Sequence, residues 1–144
     1  MDDDLSGSPV SWSAEQVELR VPAEMRSLWF LRALADVVAR RRGYVREALH
    51  DLRVAVNEAA TWLIVHAAPG SELSCRYRLG EADVTVSVSV PTRAKAPPAS
   101  DALAWQLMAA LTDSLSYRPG DTDDTGRETT TITLAVSAST AVRR

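Results

Sequence analysis

Cysteine is almost missing from this sequence: Cys75 stands alone among 144 residues. No intrachain disulfide can form, and no cysteine-based metal cluster is available. Lysine is equally scarce, with Lys95 its one instance, so the basic side is almost all arginine. No apolar run approaches the roughly 18 residues of a membrane span. The opening Met-Asp-Asp-Asp lacks the basic start of a secretory signal. A cytoplasmic protein without a membrane partner is therefore expected. A strong charge imbalance is missing too: the net charge is -3, with 24% charged and 46% hydrophobic residues. That balance gives no general polyanion-binding signal, so nucleic acid is not an expected direct partner. There are no repeats and no long low-complexity tract. A chain of this length can bury a core of its own, and one domain is expected.

What is present is organised around one stretch, Ala48 to Ala67. Leu49, Leu52, Val56, Leu63 and Ala67, with Ala59 and Ala60 between them, follow the spacing of one helical face, which reads as a core face. A second stripe carries His50, Val54, Glu58, Trp62 and His66, each four residues on, so a carboxylate, an indole and an imidazole line up. Before this helix, Met1 to Ala14 is acidic and then Ser/Gly/Pro-rich and reads as a mobile lead-in. Val17, Leu19 and Val21 alternate as a short strand ending at Pro22. Ala23 to Arg42 reads as a first helix on Leu28, Leu31, Leu34, Ala35 and Val38. Its triple arginine suits the last turn, and Gly43 stops it. Beyond the central helix, Ala68-Pro69-Gly70-Ser71 breaks the chain. Two alternating strands follow, Leu73 to Leu79 and Val84 to Val90, joined by a hairpin turn at Gly80 to Asp83. The loop Pro91 to Ser100 contains no glycine, and Ser100 is a candidate N-cap for a helix on Leu103, Leu107, Met108 and Leu111. Leu115 and Tyr117 suggest a strand, and the acidic loop Pro119 to Glu128 leads into a last one on Thr130, Ile132, Leu134 and Val136. The tail after it should fray. The order βααββαββ implies an α+β fold, a two-layer sandwich of a mixed, mostly antiparallel sheet with helices on one face. The expected division is a lead-in at 1–14, one domain at 15–137 and a tail at 138–144.

The segments VPAEMRSLWFLRALADVVARRRGY and LHDLRVAVNEAATWLIVHA, together with LAWQLMAALTDSLSY and TTTITLAV, resemble the anti-sigma factors of the general-stress and sporulation type. These are small serine kinases of the GHKL, or Bergerat, ATPase fold that hold an alternative sigma factor and are relieved by a STAS-domain anti-anti-sigma protein. The resemblance runs over roughly Val17 to Val136. It implies that fold, a sigma factor and a STAS protein as partners, and a homodimer.

In that family the central helix carries a glutamate acting as general base and, four residues later, an asparagine whose oxygen holds magnesium. The resemblance places Glu58 at the first position and Trp62 at the second. An indole offers Mg²⁺ no acceptor, and Asn57, about 100° round the helix from Glu58, cannot substitute. The family's Asp-x-Gly-x-Gly motif falls on SVPTRAKAPP, which has neither aspartate nor glycine. Its last Gly-x-Gly falls on Ala102 and Ala104, where each alanine adds a Cβ. Three motifs fail together. No metal and no cofactor are therefore expected, and Glu58 is read as a vestigial, solvated carboxylate with no catalytic residue beside it.

Among the other singled-out residues, Trp62 reads as a plug in an emptied nucleotide pocket, or else as a stacking surface for a ligand. His66 reads as packing or capping. Cys75 lies at an inward strand position with Leu73 and Tyr77 and reads as a buried inert thiol. Arg32 aligns with a first-helix arginine that the family uses against the sigma factor, and is the candidate partner-binding residue. Trp29 and Phe30 can extend either the core or a dimer face. The leading expectation is an anti-sigma factor without kinase activity. The alternatives are an active serine kinase using Mg-ATP on the STAS protein, and a small-molecule sensor using the altered pocket.

Overall fold

A computed structural model describes residues 10–13, 16–92, 102–122 and 127–139. The strands are β1 (Val10–Ser13), β2 (Gln16–Pro22), β3 (Glu72–Leu79), β4 (Asp83–Thr92), β5 (Ser114–Thr122) and β6 (Glu128–Ser137). The helices are α1 (Leu28–Arg41), entered through a 3-10 turn at Met25–Ser27, α2 (Arg46–Val65) and α3 (Ala102–Leu111). The order βααββαββ expected from the sequence is found, preceded by one further strand. The six strands form one sheet in the order β1-β2-β3-β4-β6-β5. Among the described residues every pairing between its strands is antiparallel, in line with the mostly antiparallel sheet expected.

The alternation of side chains fixes which face is covered. Val17, Tyr77, Val86, Leu134 and Leu115 are paired in one row across β2, β3, β4, β6 and β5. The first four are buried and Leu115 is half-buried, all on the helix side. The opposite face carries hydroxyls that bond across strands, Ser89 to Thr131 at 2.9 Å and Ser87 to Thr133 at 3.2 Å. The same rows carry Glu18, Arg76 and Arg118, and a solvated face of hydroxyls and charges needs no cover. On the helix side, α2 packs against α1, α3, β4 and β6. Covered from several directions, it buries a wide arc: Ala48, Leu49, Leu52, Ala55, Val56, Ala59, Ala60, Trp62, Leu63 and Ile64. The small residues in that arc let neighbouring backbones approach closely. α1 contributes Leu31, Ala35, Val38 and Ala39 to the same core.

The turn between α1 and α2 is set by Gly43, whose φ is 72°. The Gly43 N–H bonds the Arg40 carbonyl at 3.1 Å and the Tyr44 N–H reaches back to Ala39 at 3.0 Å, the paired bonds of a Schellman ending. Tyr44 then turns inward. Its hydroxyl donates to the Val136 carbonyl and accepts from the Val84 N–H. This buried phenol ties the helix turn to β4 and β6.

Several boundaries differ from the sequence reading: the first helix, read from Ala23, begins at Leu28 after a 3-10 turn, and Pro91 and Thr92, read as the start of a loop, close β4. Val10–Ser13, read as part of a mobile lead-in, pairs with β2 as an edge strand. β5 continues through Pro119 to Thr122, which the sequence reading gave to a loop. Ala138, read as the start of a fraying tail, donates its N–H to Ala82 and accepts from the Val45 N–H. The candidate cap Ser100 lies outside the described residues.

Candidate functional site

The stripe His50, Val54, Glu58, Trp62 and His66 does not form a single exposed face. His50 is exposed, while Val54, Glu58 and His66 are half-buried. Trp62 belongs to the core at 6% exposure. Its ring stacks on His66 with centroids 4.1 Å apart and planes at 28°. It meets Tyr117 of β5 edge-on at 6.4 Å. Nδ1 of His66 lies 2.8 Å from the Trp62 carbonyl, and His66 is also the C-terminal cap of α2. The packing-and-capping reading of His66 therefore agrees with its geometry. Glu58, one turn before Trp62, makes no side-chain hydrogen bond or ion pair among the described residues.

A magnesium nucleotide requires hard oxygen ligands and polar surroundings for its phosphates. The indole at position 62 supplies neither. Among the described residues no group of three or more His, Cys, Asp or Glu is placed to hold a metal ion. Ala104 is half-buried on α3, and Ala102 opens that helix. The stretch corresponding to the missing Asp-x-Gly-x-Gly, beyond Thr92, lies mostly outside the described residues.

Arg32 lies elsewhere, on the outer side of α1. Its Nη1 donates to the Asn57 Oδ1 at 2.9 Å, so it braces α1 against α2. With Trp29, Ala33, Asp36 and Arg53 it lines an open cavity of about 420 Å³. Asp36 is shared there, 2.8 Å from Arg40 and 3.5 Å from Arg53. One carboxylate thus serves two guanidiniums while a third, Arg32, is bonded to a neutral amide. Beside this groove Trp29 is 61% exposed and Phe30 50%, with their rings edge to face at 5.0 Å. Both rings are too exposed to extend the core. Sequence reasoning missed Asp36, Arg53 and Tyr117. The spacing of Asp36 and Arg40 was a legible signal for one of them, but nothing local marks Tyr117 as a partner for Trp62.

Cys75 is fully buried on β3, two residues from Tyr77 on the same face. Burial pushes its thiol up to about 12, only partly offset by a hydrogen bond with Tyr77. The Tyr77 hydroxyl donates to the Leu31 carbonyl at 3.0 Å. Its own proton is held more tightly than usual, first by burial and then by Cys75. The buried, inward position expected for Cys75 is found. No helix among the described residues is long and apolar enough to cross a membrane.

Comparison with known proteins agrees with this architecture. The model of the histidine kinase-like ATPase domain matches residues 21–134. The chain is 35% identical to the serine-protein kinase RsbW of Bacillus pumilus over 60 residues, 42% of this chain and 37% of the relative. It is 32% identical to the serine-protein kinase RsbW of Bacillus subtilis over 80 residues, 54% of this chain and 50% of the relative. These matches span half or less of the Bacillus relatives' length. A third likeness runs nearly end to end: 27% identity over 143 residues to the anti-sigma-F factor RsbW of Mycobacterium tuberculosis, 99% of this chain and 85% of the relative. The helix pair over an antiparallel sheet and the match over residues 21–134 lead to one conclusion: this chain belongs to the histidine kinase-like ATPase domain family.

Proposed function

We propose that this chain is an anti-sigma factor that sequesters an alternative sigma factor of the stress or development type, without phosphorylating a partner. The observation that carries the proposal is the near end-to-end likeness to a relative named an anti-sigma-F factor. The exposed Trp29 and Phe30 beside Arg32 supply a surface suited to the task, because aromatic and arginine side chains are the usual anchors of protein interfaces. The mechanism is occlusion: the α1 face covers sigma surfaces that RNA polymerase core needs. A STAS-domain antagonist competes for an overlapping surface and sets the switch by its concentration or modification state. A homodimer in the cytoplasm completes the reading.

A second reading, an active serine kinase, is favoured by the names of the Bacillus relatives. One experiment separates the two. The tagged chain is captured from lysate of the source organism with and without Mg-ATP, and the eluate is identified by mass spectrometry. Recovery of one alternative sigma factor and a STAS protein, unchanged by Mg-ATP, supports the binding protein. Phosphorylation or nucleotide-dependent release of the STAS protein makes the chain a kinase, and recovery of neither partner overturns both readings.

A further inference from the structure

Trp62, His66 and Tyr117 draw two distant parts of the chain together. Trp62 and His66 occupy the last turn and cap of α2, while Tyr117 stands on β5, the strand at one edge of the sheet. Tyr117 pairs with Ile132 of β6. The indole has one ring stacked on it and another set nearly perpendicular to it, both arrangements that aromatic rings favour. The result is a joint between α2 and the sheet edge, with the indole almost fully out of solvent. It contains no carboxylate or amide that could serve a hard cation.

We infer that this three-ring joint takes the place of the nucleotide in this fold, clamping the end of α2 to β5 with side chains that are always present, so that partner binding does not respond to Mg-ATP. The inference rests on the proposed anti-sigma reading for its meaning, since the absence of nucleotide control matters only if the chain holds a partner. Trp62 is the positioning residue, and His66 and Tyr117 are the surfaces it presses against. The chain is thereby fixed in one arrangement. Control passes from nucleotide state to the amounts of the competing partners, because a ligand with no differential affinity for two states shifts nothing.

The test uses the whole chain, with Mg-ATP and free indole as the added probes, and reads thermal unfolding together with amide hydrogen exchange. Millimolar Mg-ATP is expected to leave the unfolding midpoint and the exchange of the wild-type chain unchanged. Trp62→Gly opens an apolar space shaped like the lost ring, and exchange at the β5 amides from 114 to 117 rises about tenfold or more while that of β3 changes far less. Free indole returns both measurements toward wild type, as ligands do in engineered apolar cavities. Trp62→Phe retains most of the protection and covers the case in which the glycine variant does not fold.

A rise in the wild-type midpoint with Mg-ATP overturns the inference. So does equal loosening of β3 and β5 in Trp62→Gly, or in Trp62→Phe if the glycine variant does not fold, which would make Trp62 ordinary core. The anti-sigma reading fails separately, when capture returns no sigma factor whatever Mg-ATP does to unfolding.

Discussion

The Cys75 thiol illustrates how much one buried position decides. Its proton is held from an ordinary 9.0 up to about 12, and only the thiolate reacts readily. The native chain should therefore resist a thiol-specific reagent such as Ellman's until denaturant exposes the side chain; rapid labelling without denaturant would contradict the burial. The same shift has a consequence for stability. Cys75 and Tyr77 are neutral when protonated, and folding raises both pKa values. The contribution is fully present below the thiol's ordinary value of 9.0 and is lost as pH climbs toward the folded values. Denaturant midpoints measured from neutral to alkaline pH should fall above about pH 9, and Cys75→Val should flatten the first part of that fall. On the outer face the expectation is different. Trp29→Ala should alter folding stability by no more than about 0.5 kcal/mol, yet under the proposed anti-sigma reading weaken capture of a sigma factor by about 2 kcal/mol, roughly thirtyfold in Kd. A calorimetric titration beside a thermal melt would separate the two effects. Arg32→Ala is a less clean probe, because it also removes the bond to Asn57.

Among the elements, the α1 ending is where sequence and structure agree most closely. Gly43 was legible as a stop because a chain leaving a helix needs a residue tolerant of positive φ, and its φ is 72°. Gly43→Ala should cost about 1 kcal/mol of stability by chemical denaturation, since nothing crowds the missing Cβ and only backbone strain is introduced. The alternating strands β3, β4 and β6 were equally plain, because half-buried strands advertise themselves by period two. The edges were not. β1 is a lead-in by composition, and what makes it a strand is backbone bonding to β2, which leaves no trace in side-chain pattern. Pro119 reads as a breaker, yet on an edge strand its missing N–H need cost nothing. The register also slips between Pro119 and Thr122, so this part of β5 is irregular. Trp62 was misplaced in emphasis for a related reason. Helical periodicity separates two stripes, but α2 is enclosed by a sheet and two helices, and its buried arc widens near the C-terminal end to take in Trp62 from the second stripe.

For the whole molecule, stability resides in the apolar contact between one sheet face and three helices. The ion pairs among the described residues involve side chains that are partly or largely exposed, such as Arg26 with Glu24 at 80% and 53%. Raising salt from low to molar concentration should therefore move the unfolding free energy by no more than about 1 kcal/mol. A larger fall would mean that charges hold the fold together. The position of β6 has a further consequence. It is the last strand of the sheet to be synthesised, yet it lies between β4 and β5 and supplies Ile132, Leu134 and Val136 to the core. Until residue 137 has cleared the ribosome, β4 has an open edge and the rest of the core has no closing wall. Folding of this domain must wait for its final strand, and a nascent chain stalled before it should present that edge to chaperones or to other chains.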